Sequence, residues 1–428
     1  MTLDHTPFPG SDGGTVAAEA PSLAHGRHFL SIPGPSVMPD RVLAAMGRAM
    51  PNIYEGELVD MSDAMLAKLP AIARTTRPAF VAAANGHGAW EMALTNTLSR
   101  GDKVLVLESG RFATMWGRMA EMLGIEVEAI AQDERRAVDP EALEARLRAD
   151  TAHEIHSVLV VQVDTASSVV NDIPAIRRAM DAASHPALLQ VDCIACLGCI
   201  PYEMDAWGVD VTVAGSQKGL MVPPGLGLCW ASEKAMAAHA RSDLRTAYWD
   251  WGPRAGEGAH YMRYCGTPPV SHIFAMCEAL EMLNEEGLEN VWARHRILAG
   301  AARAAVEAWA APGGLEFNIL DPAQRSDVVT TVLSGSIDAM HLRRIAEERA
   351  GLTLGIGIGA FEGRAFRIGH MGHLNPPMLL GCLGTVEATL QAMGAPMGGS
   401  GVAAAAAHIA AGLGADQVPA PTLQGFNP

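Results

Sequence analysis

Lys218 stands where an apolar run, Val211-Thr-Val-Ala-Gly215, breaks into Ser-Gln-Lys-Gly and then the Pro-Pro-Gly turn at 223–225. An amine carried from a strand end into small residues is placed to meet a ligand rather than bulk water. Twenty-six positions earlier a second apolar run, Ala187-Leu-Leu-Gln-Val191, ends in the carboxylate of Asp192. Such an amine can form a Schiff base with an aldehyde, and such an acid can keep a pyridine nitrogen protonated so that the ring accepts electrons. Together they are what a pyridoxal phosphate site needs. Taken singly, Lys218 is one of 31 basic residues and Asp192 a strand-capping acid.

Further residues fit an anionic, flat ligand. Ala83-Ala-Asn-Gly-His-Gly88 is a glycine turn between a strand and a helix, where Gly86, His87 and Gly88 let the backbone approach a phosphate and the helix N-terminus offers N–H groups. Phe112, after the strand at 103–107, could lie against a ring. Other motifs carry less. Gly355-Ile-Gly-Ile-Gly359 lacks the spacing and following helix of a dinucleotide turn, so it reads as a strand and turn near the substrate. Cys193, Cys196 and Cys199 lack a nearby fourth cysteine, His370 and His373 lack a carboxylate partner, and no metal site is expected. The stripe of Met115, Met119 and Met122 reads as core packing.

The elements that must position these groups alternate. Strand-like runs at 78–83, 103–107, 126–130, 157–163, 187–191 and 209–214 are separated by helical patterns such as 89–98, 114–123 and 140–148. That order predicts an α/β protein with a mostly parallel sheet covered by helices on both faces. In such sheets ligands bind beyond the carboxyl ends of strands, which is where Asp192 and Lys218 fall. A long helical stretch from Pro269 leads into a smaller α+β region with strands at 328–332, 352–356 and 365–368 and helices at 338–350 and 377–393. The expected division is a flexible tail at 1–24, a large domain at 25–290 that includes the N-terminal segment, a small domain at 291–395, and a C-terminal tail at 396–428.

Composition narrows the partners. A net charge of −16 argues against nucleic acid, and 49% hydrophobic with 18% charged residues describes a globular chain. No apolar stretch approaches the roughly 20 residues of a membrane span. The first 24 residues hold acids and no Lys or Arg, unlike a targeting peptide, and seven cysteines suit free thiols, so cytoplasmic residence is expected.

In this order along the chain, Phe29-Leu-Ser-Ile-Pro-Gly-Pro35, Gly86-His-Gly-Ala-Trp-Glu91, Leu94-Thr-Asn-Thr-Leu-Ser99, Val191-Asp192, Trp207-Gly-Val-Asp210, Gly215-Ser-Gln-Lys-Gly219, Thr267-Pro-Pro269 and Arg367-Ile-Gly369 resemble the class V, fold type I pyridoxal-phosphate aminotransferases, specifically the serine/alanine–glyoxylate aminotransferases. The resemblance implies a pyridoxal 5'-phosphate enzyme that moves an amino group from a small amino acid to a 2-oxo acid, and a homodimer. Lys218 would carry the cofactor and shuttle protons, and Asp192 would pair with the ring nitrogen. Phe112 would stack on the ring and Thr165 hydrogen-bond its hydroxyl. His87, Gly88 and Gln217 would hold the phosphate, with Tyr264 and Thr267 reaching in from a second subunit. Arg367 would grip the substrate carboxylate, and Gly34 would line the substrate side.

Two segments depart from the family pattern. Gln162-Val-Asp-Thr-Ala-Ser-Ser-Val169 keeps Thr165 but has Asp164 for the usual glutamate and Ser168 for a glycine. Asn52-Ile-Tyr-Glu-Gly-Glu57 replaces a His-Arg pair near the pocket entrance and makes Tyr54 a candidate substrate contact. Pyridoxamine–pyruvate aminotransferase shares the Asp-Thr pair, the tyrosine-acid loop and the run Arg367-Ile-Gly-His-Met-Gly372, and is the second resemblance. Lyases and desulfurases of the same fold usually carry histidine before the lysine, where this chain has Gln217.

Overall fold

In the computed structural model, residues 22–131, 133–256 and 258–414 are described. Seven strands form the larger sheet, in the order Ala79–Ala84, Gly225–Ala231, Val211–Gly215, Leu188–Asp192, Ile155–Val161, Lys103–Glu108 and Glu126–Ala131. Only Gly225–Ala231 runs against its neighbours; the remaining pairs are parallel, as the βα alternation requires. Side chains alternate between faces along each strand. Val81, Leu105, Val158, Leu189 and Val191 pack into one helix-covered layer, and Phe80, Val104, Val106, Leu159 and Val213 into the other. Burial of each such aliphatic side chain contributes roughly 1.5–3 kcal/mol. The glycine-interrupted Gly-Leu-Gly-Leu of 225–228, absent from the strands expected above, makes strand 225–231 hard to read in sequence.

Local signals set the helix starts. Asp139, Asp172, Ser232, Asp338 and Asn375 each accept a backbone N–H in the first turn of the helix that follows, and Gly351 leaves one helix in the left-handed region at φ 72°. Asp210 of the Trp-Gly-Val-Asp motif accepts Leu189 N at 2.9 Å and Ser232 Oγ at 2.8 Å, which ties the Asp192 strand to the helix Glu233–His239.

The second sheet has the order Phe29–Ser31, Leu352–Ile356, Ala365–Gly369, Val329–Leu333 and Glu316–Phe317. Phe29–Ser31, in the N-terminal segment grouped above with the large domain, pairs in parallel with Leu352–Ile356 of this sheet. A Cβ on Gly369 would sit 2.1 Å from the Ile32 carbonyl, so glycine lets the 32–35 segment cross this sheet on its way to the site. The position 290 boundary falls inside the helix Leu288–Trp309. Part of the expected C-terminal tail is a helix, Gly401–Gly412, which packs on Leu288–Trp309 with Ala405 and Ile409 buried. Its alanine-rich sequence shows no polar face to announce it. The expected tail residues 1–21 and 415–428 lie outside the described residues, whereas Leu23 N already bonds Arg349 O at 2.9 Å. Among the described residues no helix is long and apolar enough to cross a membrane.

Candidate active site

A cavity of about 290 Å³ opens at the carboxyl ends of the central strands, walled by Gly34, Pro35, Asn85, Gly86, His87, Trp90, Phe112, Val161, Val163, Thr165, Asp192, Ile194, Ala195, Gln217, Lys218 and Pro224. Both residues singled out first lie in its wall. Lys218 follows the strand Val211–Gly215 in a short connection to Gly225–Ala231, and Nζ donates to the Pro33 carbonyl. Burial, helped by the nearby Arg367 charge, lowers its ammonium to about 8, well under the usual lysine range. Gly34, at φ +100°, lies against this side chain; a Cβ there would meet Lys218 Nζ at 2.4 Å. Asp192 ends its strand buried, accepting Ile194 N at 2.6 Å and Trp90 Nε1 at 2.9 Å. Burial raises its carboxyl to about 7, against the pull of those two donors and of Lys218.

The phosphate end differs from expectation in one respect. The helix Gly86–Thr97 does start at the glycine turn, but the N–H groups of His87 and Gly88 are taken by Asn85 Oδ1 at 3.0 and 3.3 Å. Asparagine is a strong N-cap, so the signal was present in the residue before Gly86. Gln217 Oε1 is buried with no partner, an acceptor left over beside the same turn. A Cβ on Gly86 would collide with Ile194 Cδ1 at 2.5 Å, so the turn has room for nothing bulkier than glycine. An amine, a facing buried carboxylate and an aromatic wall beside a glycine turn fit pyridoxal phosphate, and Gln217 suits the phosphate once its amide turns its NH2 group to the turn.

Phe112 lies in the first turn of the helix Arg111–Met122, with its N–H on Asp164 Oδ2 at 2.8 Å. Asp164 is the residue that sequence reading undervalued: buried, it also accepts Ala166 N at 2.9 Å and Ala113 N at 3.4 Å, capping that helix from 52 residues beyond Phe112. Thr165 lines the cavity, and its carbonyl accepts Arg367 Nη1 at 2.7 Å, while Arg367 Nε donates to Ile356 O at 2.6 Å. Arg367 stands one layer behind the cavity wall, and burial lowers its guanidinium to about 10. Ser168 adopts the left-handed conformation at φ 67° that its glycine counterpart would take freely; its hydroxyl accepts Thr331 N at 3.1 Å and links this loop to the second sheet.

Three predicted residues lie away from the cavity of their own chain. Tyr54 is 69% exposed, edge-on to Tyr261 at 6.0 Å. Thr267 is exposed, and Tyr264 is buried with its hydroxyl donating to Ser62 Oγ at 3.3 Å. The strand and turn read at 355–363 are present as Leu352–Ile356 and Gly359–Phe361. Among the described residues no group of three or more His, Cys, Asp or Glu could hold a metal ion.

A profile of the Aminotransferase class-V family matches residues 74–358. The chain belongs to the class-V aminotransferases. It is an aminotransferase with the fold type I architecture, in a family that works with pyridoxal phosphate. The serine–glyoxylate aminotransferase of Methylorubrum extorquens is 40% identical over 393 residues, covering 90% of this chain and 96% of the relative. The L-aspartate–glyoxylate aminotransferase of Paracoccus denitrificans is 39% identical over 382 residues, covering 88% and 95%. The structure of pyridoxamine–pyruvate aminotransferase from Mesorhizobium loti superposes with a TM-score of 0.81 at 28% identity, covering 91% of this chain and 98% of that one.

Proposed function

We propose that this aminotransferase moves the amino group of a small amino acid, serine or alanine, to a 2-oxo acid such as glyoxylate or pyruvate, as a homodimer. The observation that carries the reading is a lysine amine lowered to about 8 facing a buried carboxylate across one cavity. Bound there, pyridoxal phosphate would supply an electrophilic carbonyl and an electron-withdrawing ring. Lys218 does the proton work: with an ammonium near 8, Nζ is neutral in a useful fraction of molecules at neutral pH, and can accept and return a proton at the substrate α-carbon. Asp192 would hold positive charge at the ring nitrogen. The side chains of His87 and Gln217 would hold the phosphate, with the Gly88 N–H joining once it leaves Asn85 Oδ1, while Phe112 would cover the ring face and Thr165 would meet the ring hydroxyl. Arg367 keeps donors beyond those given to Ile356 and Thr165, and these suit the planar carboxylate of an amino acid. Gly34 keeps that side open. The small cavity favours small side chains. Exposed Thr267 is suited to complete a neighbour's phosphate site, whereas Tyr264, bonded inward, must turn out to join it.

The test is a matrix of amino donors against 2-oxo acid acceptors with purified protein and pyridoxal phosphate. Serine or alanine with glyoxylate or pyruvate should give the fastest turnover; no turnover in any pairing sinks the reading. A second reading, pyridoxamine with pyruvate, is favoured by Asp164-Thr165, the 367–372 run and the 0.81 superposition. Mixing those two compounds with cofactor-free protein decides it: formation of alanine supports this reading, and none removes it.

A further inference from the structure

Asp192 can serve a ring nitrogen only while ionised, and its burial opposes that most strongly. The Asp164 carboxylate repels it as well. Lys218 is the cation that favours it; His87, whose proton affinity is lowered by burial and by Lys218, adds no positive charge at neutral pH. Two N–H groups remain. Ile194 N holds Oδ1, and Trp90 Nε1 holds Oδ2.

Trp90 is not free to do otherwise. Its ring is 1% exposed, stacked on Trp116 at 5.9 Å and 15°, and met edge-on by His87 at 4.5 Å and Phe112 at 6.4 Å. Aromatic neighbours on three sides fix where the indole N–H points. We propose that Trp90 is a positioning residue for transamination: its indole N–H keeps Asp192 ionised and turns the carboxylate so that its open lone pairs face the cavity. The inference rests on the reading of the cavity as a cofactor site. A hydrogen bond to a buried charged group is strong enough to shift protonation by roughly tenfold or more. With Asp192 poised near neutrality, that shift separates a mostly charged partner from a mostly neutral one.

The coupling is readable without cofactor. Among the indole N–H resonances of the eight tryptophans, one should move with a midpoint near pH 7, and it should stay fixed in Asp192→Asn. Trp90→Phe, which keeps an aromatic ring and loses the N–H, should delete that resonance. It should weaken pyridoxal phosphate binding about tenfold, move the acid limb of the binding profile to higher pH, and add little to the loss in Asp192→Asn. Absence of a titrating indole, or losses that simply add in the double variant, would overturn the proposal. If pyridoxal phosphate does not bind at all, the functional reading falls, while the indole titration in the unaltered chain still decides the Trp90–Asp192 coupling.

Discussion

The floor of the cavity and a solvent-facing rim that lies away from it within one chain are built by opposite rules. On the floor, Lys218, Asp192 and Asp164 are buried or nearly so, and each is held by named donors, acceptors or a close glycine. On the rim, Tyr54 and Thr267 face solvent, and the 52–57 loop is tied mainly to itself and its neighbour, with Tyr54 N on Asn52 Oδ1 at 2.9 Å and Ile53 O near His260 Nδ1 at 3.2 Å. Buried polar groups need partners, so the floor is over-determined within one chain; exposed groups do not, so the rim is left for something else to complete. The difference teaches that one chain's fold fixes the groups proposed for the chemistry, whereas it leaves Tyr54 and Thr267 without fixed partners in the cavity.

The largest expected effect removes the floor outright. Lys218→Ala should lower turnover at least a thousandfold and abolish the visible absorbance of the bound cofactor, measured by steady-state assay and spectrum; retained colour would break the assignment. Arg367 lies between the regions. Arg367→Ala should raise the KM for the amino acid roughly a hundredfold with a smaller change in kcat, and Arg367→Lys should recover only part, because the fork is lost with the guanidinium. An unchanged KM would move the carboxylate contact to the rim.

The pH dependence sharpens the same contrast. Only neutral Lys218 attacks the cofactor aldehyde, so capture by cofactor-free protein should rise about tenfold per pH unit below about 8 and level off above it. Asp192, neutral below about 7, weakens binding further on the acid side. Stopped-flow absorbance checks this, and a flat profile from pH 6 to 8 contradicts the buried-lysine account. Rim changes should be the mildest. Thr267→Ala should loosen pyridoxal phosphate several-fold at high protein concentration, with the difference from the unaltered chain shrinking on dilution, and Tyr54→Ala should change the ratio of kcat/KM between donors while the cofactor spectrum stays the same. An altered spectrum in Tyr54→Ala would join rim and floor.

The floor was the legible part. Lys218 and Asp192 were each unremarkable alone, but as a pair at the ends of two apolar strands they pointed to one place, and both line the same cavity. Asn85 was less legible: the glycine turn was plain, but which oxygen would occupy its N–H groups depends on a side-chain torsion. Trp90 and Asp164 act through partners 102 and 52 positions away, and no local pattern carries such pairing. The reversed strand at 225–231 was masked by glycine, and the helix at 401–412 by uniform alanine. For Tyr264, family resemblance gave a role, whereas the fold of a single chain turns its hydroxyl inward to Ser62.

Strand 225–231 joins two tasks. Its register sets Gly227 against Gly215, just before the lysine turn, and Gly225 against Ala84, just before the glycine turn. One ribbon therefore works as a gauge block, fixing the span between the turn that carries Lys218 and the glycine turn at Gly86.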